Sequence, residues 1–239
     1  MQPCALLLIG VVAVEDFVDG DEVDHRALRE IRGLIERQSS PADPGHEHVH
    51  PAIVPAVVGR DEVTVTRSFD RADALRLLTE LGAPARLLRH AELVGEASDA
   101  LLSLLAGEGV TFEEGFVRAG VALHDAGKCA HPAELDGPGS LHEDEGERML
   151  LARGVAPSLA RVCRSHSRWA SMECSLEELV IALSDKLWKG VRVAALEEAV
   201  IDAAATRAGR DRWELFVALS DGFERVASEG DARLARSVG

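Results

Sequence analysis

His124 and Asp125 stand side by side in the segment VALHDAGK (residues 121–128), where a run of apolar residues at helical spacing ends. Four further groups able to bind a metal flank them at wide spacing: His90 upstream, then His142, His166 and Asp185 downstream. A His-Asp doublet alone says little, since it also suits a helix C-terminus, where His partners the dipole and the acid faces water. A doublet that closes an apolar helix, with His and Asp on other predicted helices, constrains the fold far more. Helices must then converge so that imidazole nitrogens and carboxylate oxygens meet around a divalent cation. Six such groups could hold two ions, with one carboxylate bridging.

The chain has 239 residues, enough for one large or two modest domains. Its 46% hydrophobic content is that of a globular protein. A net charge of -15 and the lack of a dense basic patch argue against a nucleic-acid partner. Cys4, Cys129, Cys163 and Cys174 form no CxxC pair and read as reduced thiols of a cytoplasmic protein. The apolar run at residues 4–14 is too short to cross a bilayer, lacks a basic lead and is followed by Glu15 and Asp16. It reads as a buried strand rather than a signal peptide or membrane span.

Residues 1–85 read as a small α+β region of unknown role. Strands are predicted at 5–14, 52–58 and 62–67, and a helix at 21–37. Asp70 is placed to N-cap a helix reaching Leu81, which Gly82 and Pro84 end. His46, His48 and His50 would share a face on a strand, but Pro44-Gly45 and Pro51 bracket them, so they read as a loop. His25 and His131 read as surface or loop residues. From about 85 onward the chain is mainly α, with helices predicted at 86–106, 112–125, 142–153, 157–169, 175–189, 193–208 and 211–229.

Each outlying candidate also has a plainer reading. His90 lies on the apolar side of its helix, where a lone His is most often a hydrogen-bonded core residue. Asp185 sits in the apolar helix VIALSDKLW and is costly to bury unless paired or bound to metal; the simple partner is Lys189, at i+4. His142 begins a helix with Glu143, Asp144 and Glu145 in its first turn. Acids suit that end and a charged His does not, which points to a neutral, ligating imidazole. His166, in CRSHSRW, has no explanation as a lone residue.

Of the 26 basic residues only three are Lys, and Lys128, Lys186 and Lys189 all lie within four residues of Asp125 or Asp185. One reading is helix ion pairs. The other is that Lys128 points at a phosphate or stabilises transition-state charge.

The ordered pattern His90, His124-Asp125, His142, His166, Asp185 resembles the HD-domain superfamily of metal-dependent phosphohydrolases, with HDAGK in the His-Asp-x-Gly-Lys form. It is similar in particular to the six-ligand, two-metal subgroup. That subgroup includes bacterial HD-type diadenosine tetraphosphate hydrolases and cyclic-di-GMP phosphodiesterases, although the GYP signature of the latter is absent. The resemblance covers about residues 85–190. It implies an HD-type helical bundle over 86–239 and two divalent ions drawn from Fe, Mn, Co, Ni or Mg. His90, His124, Asp125 and Asp185 would hold the first ion, and His142 and His166 the second, with Asp125 bridging. Asp125 and Lys128 would be catalytic and Arg168 and Lys189 would bind substrate phosphate, while Lys186 is assigned no role. The implied reaction is hydrolysis of a nucleotide or small phosphate ester by metal-activated water. Two alternatives share the ligand set: an HD-type di-iron oxygenase and a non-catalytic nucleotide sensor. No membrane partner is expected, and the oligomeric state is left open.

Overall fold

The computed structural model describes residues 69–237. The strands expected at 5–14, 52–58 and 62–67, the helix at 21–37 and the HEHVH loop lie outside the described residues. Among the described residues there are ten α-helices and no strand. They are α1 Arg71–Glu80, α2 Ala85–Gly107, α3 Glu114–Leu123, α4 Leu141–Ala152, α5 Pro157–Ala160, α6 Val162–Arg168, α7 Leu176–Leu187, α8 Ala194–Ala208, α9 Arg212–Ser228 and α10 Gly230–Ser237. This is an HD helical bundle in outline, and none of these helices is long and apolar enough to cross a membrane.

Helix starts follow local chemistry. Asp70 caps α1 in a reciprocal box: its carboxylate accepts from the Asp73 N–H at 2.8 Å, and Asp73 accepts from the Asp70 N–H. Ser175 and Glu178 build the same box at the start of α7. The expected helix 157–169 divides at Arg161, which keeps right-handed helical angles. The expected helix 112–125 ends at Leu123 and passes into a 3₁₀ turn, Ala126–Cys129. Helix α10 is not among the expected elements; it is short and follows α9 with only Glu229 between.

Two helices organise the core. In α3, Val117, Ala119, Val121, Ala122 and Leu123 are buried, and in α7 every residue but Lys186 is buried. α3 lies against α1, α2 and α7, and α7 lies against α2, α6 and α8. Gly120 sets the α3–α7 approach, since a Cβ there would overlap the Ile181 side chain. Ala74, Leu77 and Leu78 of α1 belong to the same core. The described residues on either side of position 85 thus share one core.

The 3₁₀ turn after the His-Asp doublet crosses α4 at backbone distance. A Cβ on Gly127 would overlap the His142 carbonyl, and Gly146 faces both Gly127 and Cys163. This contact ties Asp125 to the helix that carries His142. Gly127→Ala should lower stability by about 1–3 kcal/mol, the usual cost of overpacking. Gly115→Ala, where the same test meets only open space on α3, should be neutral or stabilising by ~0.5–1 kcal/mol. Chemical denaturation of the two variants checks the pair, and equal midpoints would refute the close crossing.

Candidate metal centre

Five helices and one turn deliver the six candidates. His90 lies in the second turn of α2, His124 caps the C-terminus of α3, and Asp125 begins the 3₁₀ turn. His142 is the second residue of α4, His166 lies in α6, and Asp185 lies in the last turn of α7. The structure brings all six together. Asp125 sits at the centre, and its two oxygens face different histidine pairs. Oδ2 is 3.2 Å from His90 Nε2 and 3.6 Å from His124 Nε2. Oδ1 is 3.2 Å from His142 Nε2 and 3.8 Å from His166 Nε2. Asp185 Oδ1 lies 3.6 Å from His124 Nε2 and 3.9 Å from His90 Nε2.

These separations match a cation's geometry. Metal–ligand bonds of about 2.0–2.2 Å place neighbouring ligand atoms roughly 3–3.6 Å apart. Two overlapping groups gather such atoms at this spacing or slightly wider: His90, His124 and Asp185, and His124, Asp125 and His166, each with ligand atoms within 4.8 Å of one another.

Ring orientation supports the same reading. His124 Nδ1 is 2.7 Å from the Val121 carbonyl, and His166 Nδ1 is 3.1 Å from the Val162 carbonyl. A carbonyl can only accept, so each Nδ1 carries the proton, and in the neutral ring Nε2 turns its lone pair inward. That is the usual arrangement of metal-binding imidazoles. His142 follows suit, with Nδ1 2.6 Å from Glu134 Oε2. Its Nε2 is buried and makes no hydrogen bond. Leaving such an atom unpaired costs about 1–3 kcal/mol, which a cation at that position would remove. The donor set therefore fits a divalent metal.

Electrostatics in the metal-free site are those of a buried ionic cluster. Burial alone would raise the Asp125 carboxyl, but the imidazoles of His124, His142 and His90 outweigh it and hold it well below the usual range. Asp185 is held down likewise, against burial, by His124, Lys186 and Lys189. Burial opposes charging His124 and His142, yet carboxylates raise both: Asp125 and Asp185 for the first, Asp125 and Glu134 for the second. His166 is the exception, held down at about 4 by burial and by His124.

The cluster forms one wall of a cavity of about 470 Å³. All three lysines of the chain line it, together with Arg86. Lys128 Nζ donates to Asp125 Oδ2 at 2.7 Å. Asp185 is met by Lys186 at 2.8 Å rather than by Lys189, because Lys186 folds back along the helix end. Lys189 lines the cavity as expected. Arg168 is not part of its lining. Its guanidinium is held by Glu143 at 2.5 Å and Asp144 at 3.1 Å, the acids that begin α4. Several participants escape sequence reasoning: Glu134, Arg86 and, from α10, Leu234 and Ser237. Glu134 lies in a short turn with no periodicity to mark it, and α10 has no apolar stripe long enough to stand out.

His124→Ala and Asp125→Ala should each abolish tight metal binding, measured by elemental analysis after dialysis; full metal content in either would refute the assignment. Metal retention should also depend on pH. Because His124 and His142 hold protons more tightly than ordinary imidazoles, a metal must displace those protons. Retention should therefore decline as pH falls toward and below about 6.5, the ordinary imidazole value. Unchanged retention down to about pH 5 would contradict this.

A family model of the HD domain matches residues 87–188, the stretch that carries all six candidates. No curated protein and no solved structure matches the chain. Residues 87–188 thus match an HD domain, a type of domain found in metal-dependent hydrolases, and they carry the His-Asp cluster that such a domain's metal site needs.

Proposed function

We propose that the chain is a metal-dependent phosphohydrolase acting on a nucleotide or another small phosphate ester. One observation carries the reading. The metal-ligand cluster and all three lysines of a chain with net charge -15 meet in a single cavity. An acidic protein repels a phosphate at long range, so a phosphate site needs concentrated local positive charge. The cavity, at about 470 Å³, suits a small ligand.

In this reading His90, His124, Asp125 and Asp185 would hold one divalent ion, and His142 and His166, with Asp125 shared, would hold a second. Divalent ions bound in such a site lower the pKa of water and polarise phosphoryl oxygens. The protein groups supply the rest. Lys128, anchored on Asp125, presents a fixed positive charge beside the ligand cluster, where negative charge grows on the phosphoryl group. Lys189 and Arg86 offer charge to the remainder of the substrate. Leu135, Leu234 and Trp188 supply an apolar part of the wall that limits water. Cys129, Cys163 and Cys174 are free thiols, in keeping with a reducing compartment such as the cytoplasm.

The deciding experiment loads metal-free protein with Mn, Fe, Co, Ni or Mg under nitrogen and follows phosphate or nucleotide release from a panel of phosphomonoesters, phosphodiesters and nucleotides. Turnover without oxygen is expected. Loss of activity without oxygen, with oxygen consumption in air by a di-iron form, would replace the proposal with oxygenase chemistry. Lys128→Ala should retain metal and lower kcat by roughly 10²-fold, the scale of one lost electrostatic contact in a transition state. An unchanged kcat would reduce Lys128 to an ion pair.

A further inference from the structure

The turn between the two halves of the cluster carries a carboxylate that the ligand pattern does not use. Glu134 lies in a 3₁₀ turn, Pro132–Leu135, just ahead of α4. Its Oε2 accepts from the His142 ring at Nδ1, 2.6 Å away, and from the His142 backbone N–H at 3.1 Å. Its Oε1 accepts from the Leu141 N–H at 3.2 Å. The side chain is only 9% exposed. Gly139 faces it closely: a Cβ on Gly139 would overlap the Glu134 carboxyl group. The backbone of Gly139 is not in the left-handed region, so glycine is needed there for space and not for its dihedral freedom.

Three of these contacts bear on one ring. The carboxylate accepts a hydrogen bond from Nδ1–H, which keeps the proton there and leaves Nε2 as the bare nitrogen of the neutral ring. It also grips the backbone at both His142 and the residue before it. The Nε2 that results is the buried, unpaired atom 3.2 Å from Asp125 Oδ1. We propose that Glu134 is the positioning residue for His142, fixing its tautomer and ring direction toward Asp125, and that Gly139 provides the space for it. The inference rests on the metal-site reading above, but its first test does not need a metal.

A simpler role is helix capping. Ser140, at the N-cap of α4, makes no side-chain cap, and Glu134 accepts from the first two N–H groups in its place. The two roles separate experimentally. Imidazole ¹H–¹⁵N spectra of the metal-free full chain, taken on the alkaline side of the His142 ring's own titration so that the ring is neutral, report the tautomer directly. The His142 signal is assigned by its loss in His142→Gln. The wild-type ring should be held with the proton on Nδ1, whereas Glu134→Ala and Gly139→Ala should release it to a mixture of tautomers. Cobalt(II) titration should then show affinity reduced roughly 10–100-fold, the usual effect of losing a ligand's outer partner. The double variant Glu134→Ala/Ser140→Asp supplies a cap from the ordinary position; it should recover melting temperature but neither tautomer nor cobalt affinity. A His142 tautomer unchanged in Glu134→Ala would overturn the proposal, as would full recovery of tautomer and affinity in the double variant. A wild-type chain that takes up no cobalt, yet releases the tautomer in Glu134→Ala, would remove the metal-site reading and leave the positioning role standing.

Discussion

The carboxylate of Asp125 meets four imidazoles, two on each oxygen, and the bundle is arranged around that meeting. A buried acid with no partner would be expelled or protonated. Here His90, His124, His142 and His166 arrive from α2, α3, α4 and α6, and α7 adds Asp185 beside them. Each helix must pack closely enough to place its ring within 4 Å of one central group. The glycine contacts follow from this demand: Gly120 brings α7 onto α3, while Gly127 and Gly146 bring the turn after the doublet onto α4.

Much of this is legible in the order of the amino acids, but only where the signal is periodic or compositional. The helices that carry the ligands follow from apolar spacing, because each buries a stripe: α2 and α6 against α3 or α7, and α4 against α6 and the turn after the doublet. The six ligand candidates stand out because His and Asp are costly on such faces without a reason. What stays hidden depends on contacts across the chain. Glu134 is an acid in a short turn, and nothing in its neighbours reveals that it reaches a ring eight residues away. The partner of Asp185 differs from the expected one because i+4 spacing suggests Lys189, whereas at a helix end the adjacent Lys186 can curl back. Arg168 reads as free for a phosphate, but two acids at the start of α4 already occupy it.

The two kinds of basic residue divide the work. Arginine neutralises buried or half-buried acids around the bundle: Arg207 with Glu177, Arg161 with Glu178, Arg192 with Glu197 and Arg168 with Glu143. A planar guanidinium can grip both oxygens of such an acid, and losing it would strand the carboxylate. Lysine is kept for the cavity, where a compact ammonium on a flexible stem can leave a carboxylate and turn to another anion. These arginines sit in the scaffold, while all three lysines line the cavity together with Arg86.

The ligands are scattered along the chain, with His90 and Asp185 separated by 95 positions and only His124 and Asp125 adjacent. Of these six ligands, an unfolded chain thus offers an ion only one adjacent pair. Nearly all of the binding free energy is then available only to the assembled bundle. An ion that meets the chain early has little to template, so it would not hasten assembly. One that arrives after α2, α3, α4, α6 and α7 have docked closes a knot of contacts that must all part together for the bundle to open. Its effect would fall on the rate of leaving the native state, so an ion held there would also make the fold persist.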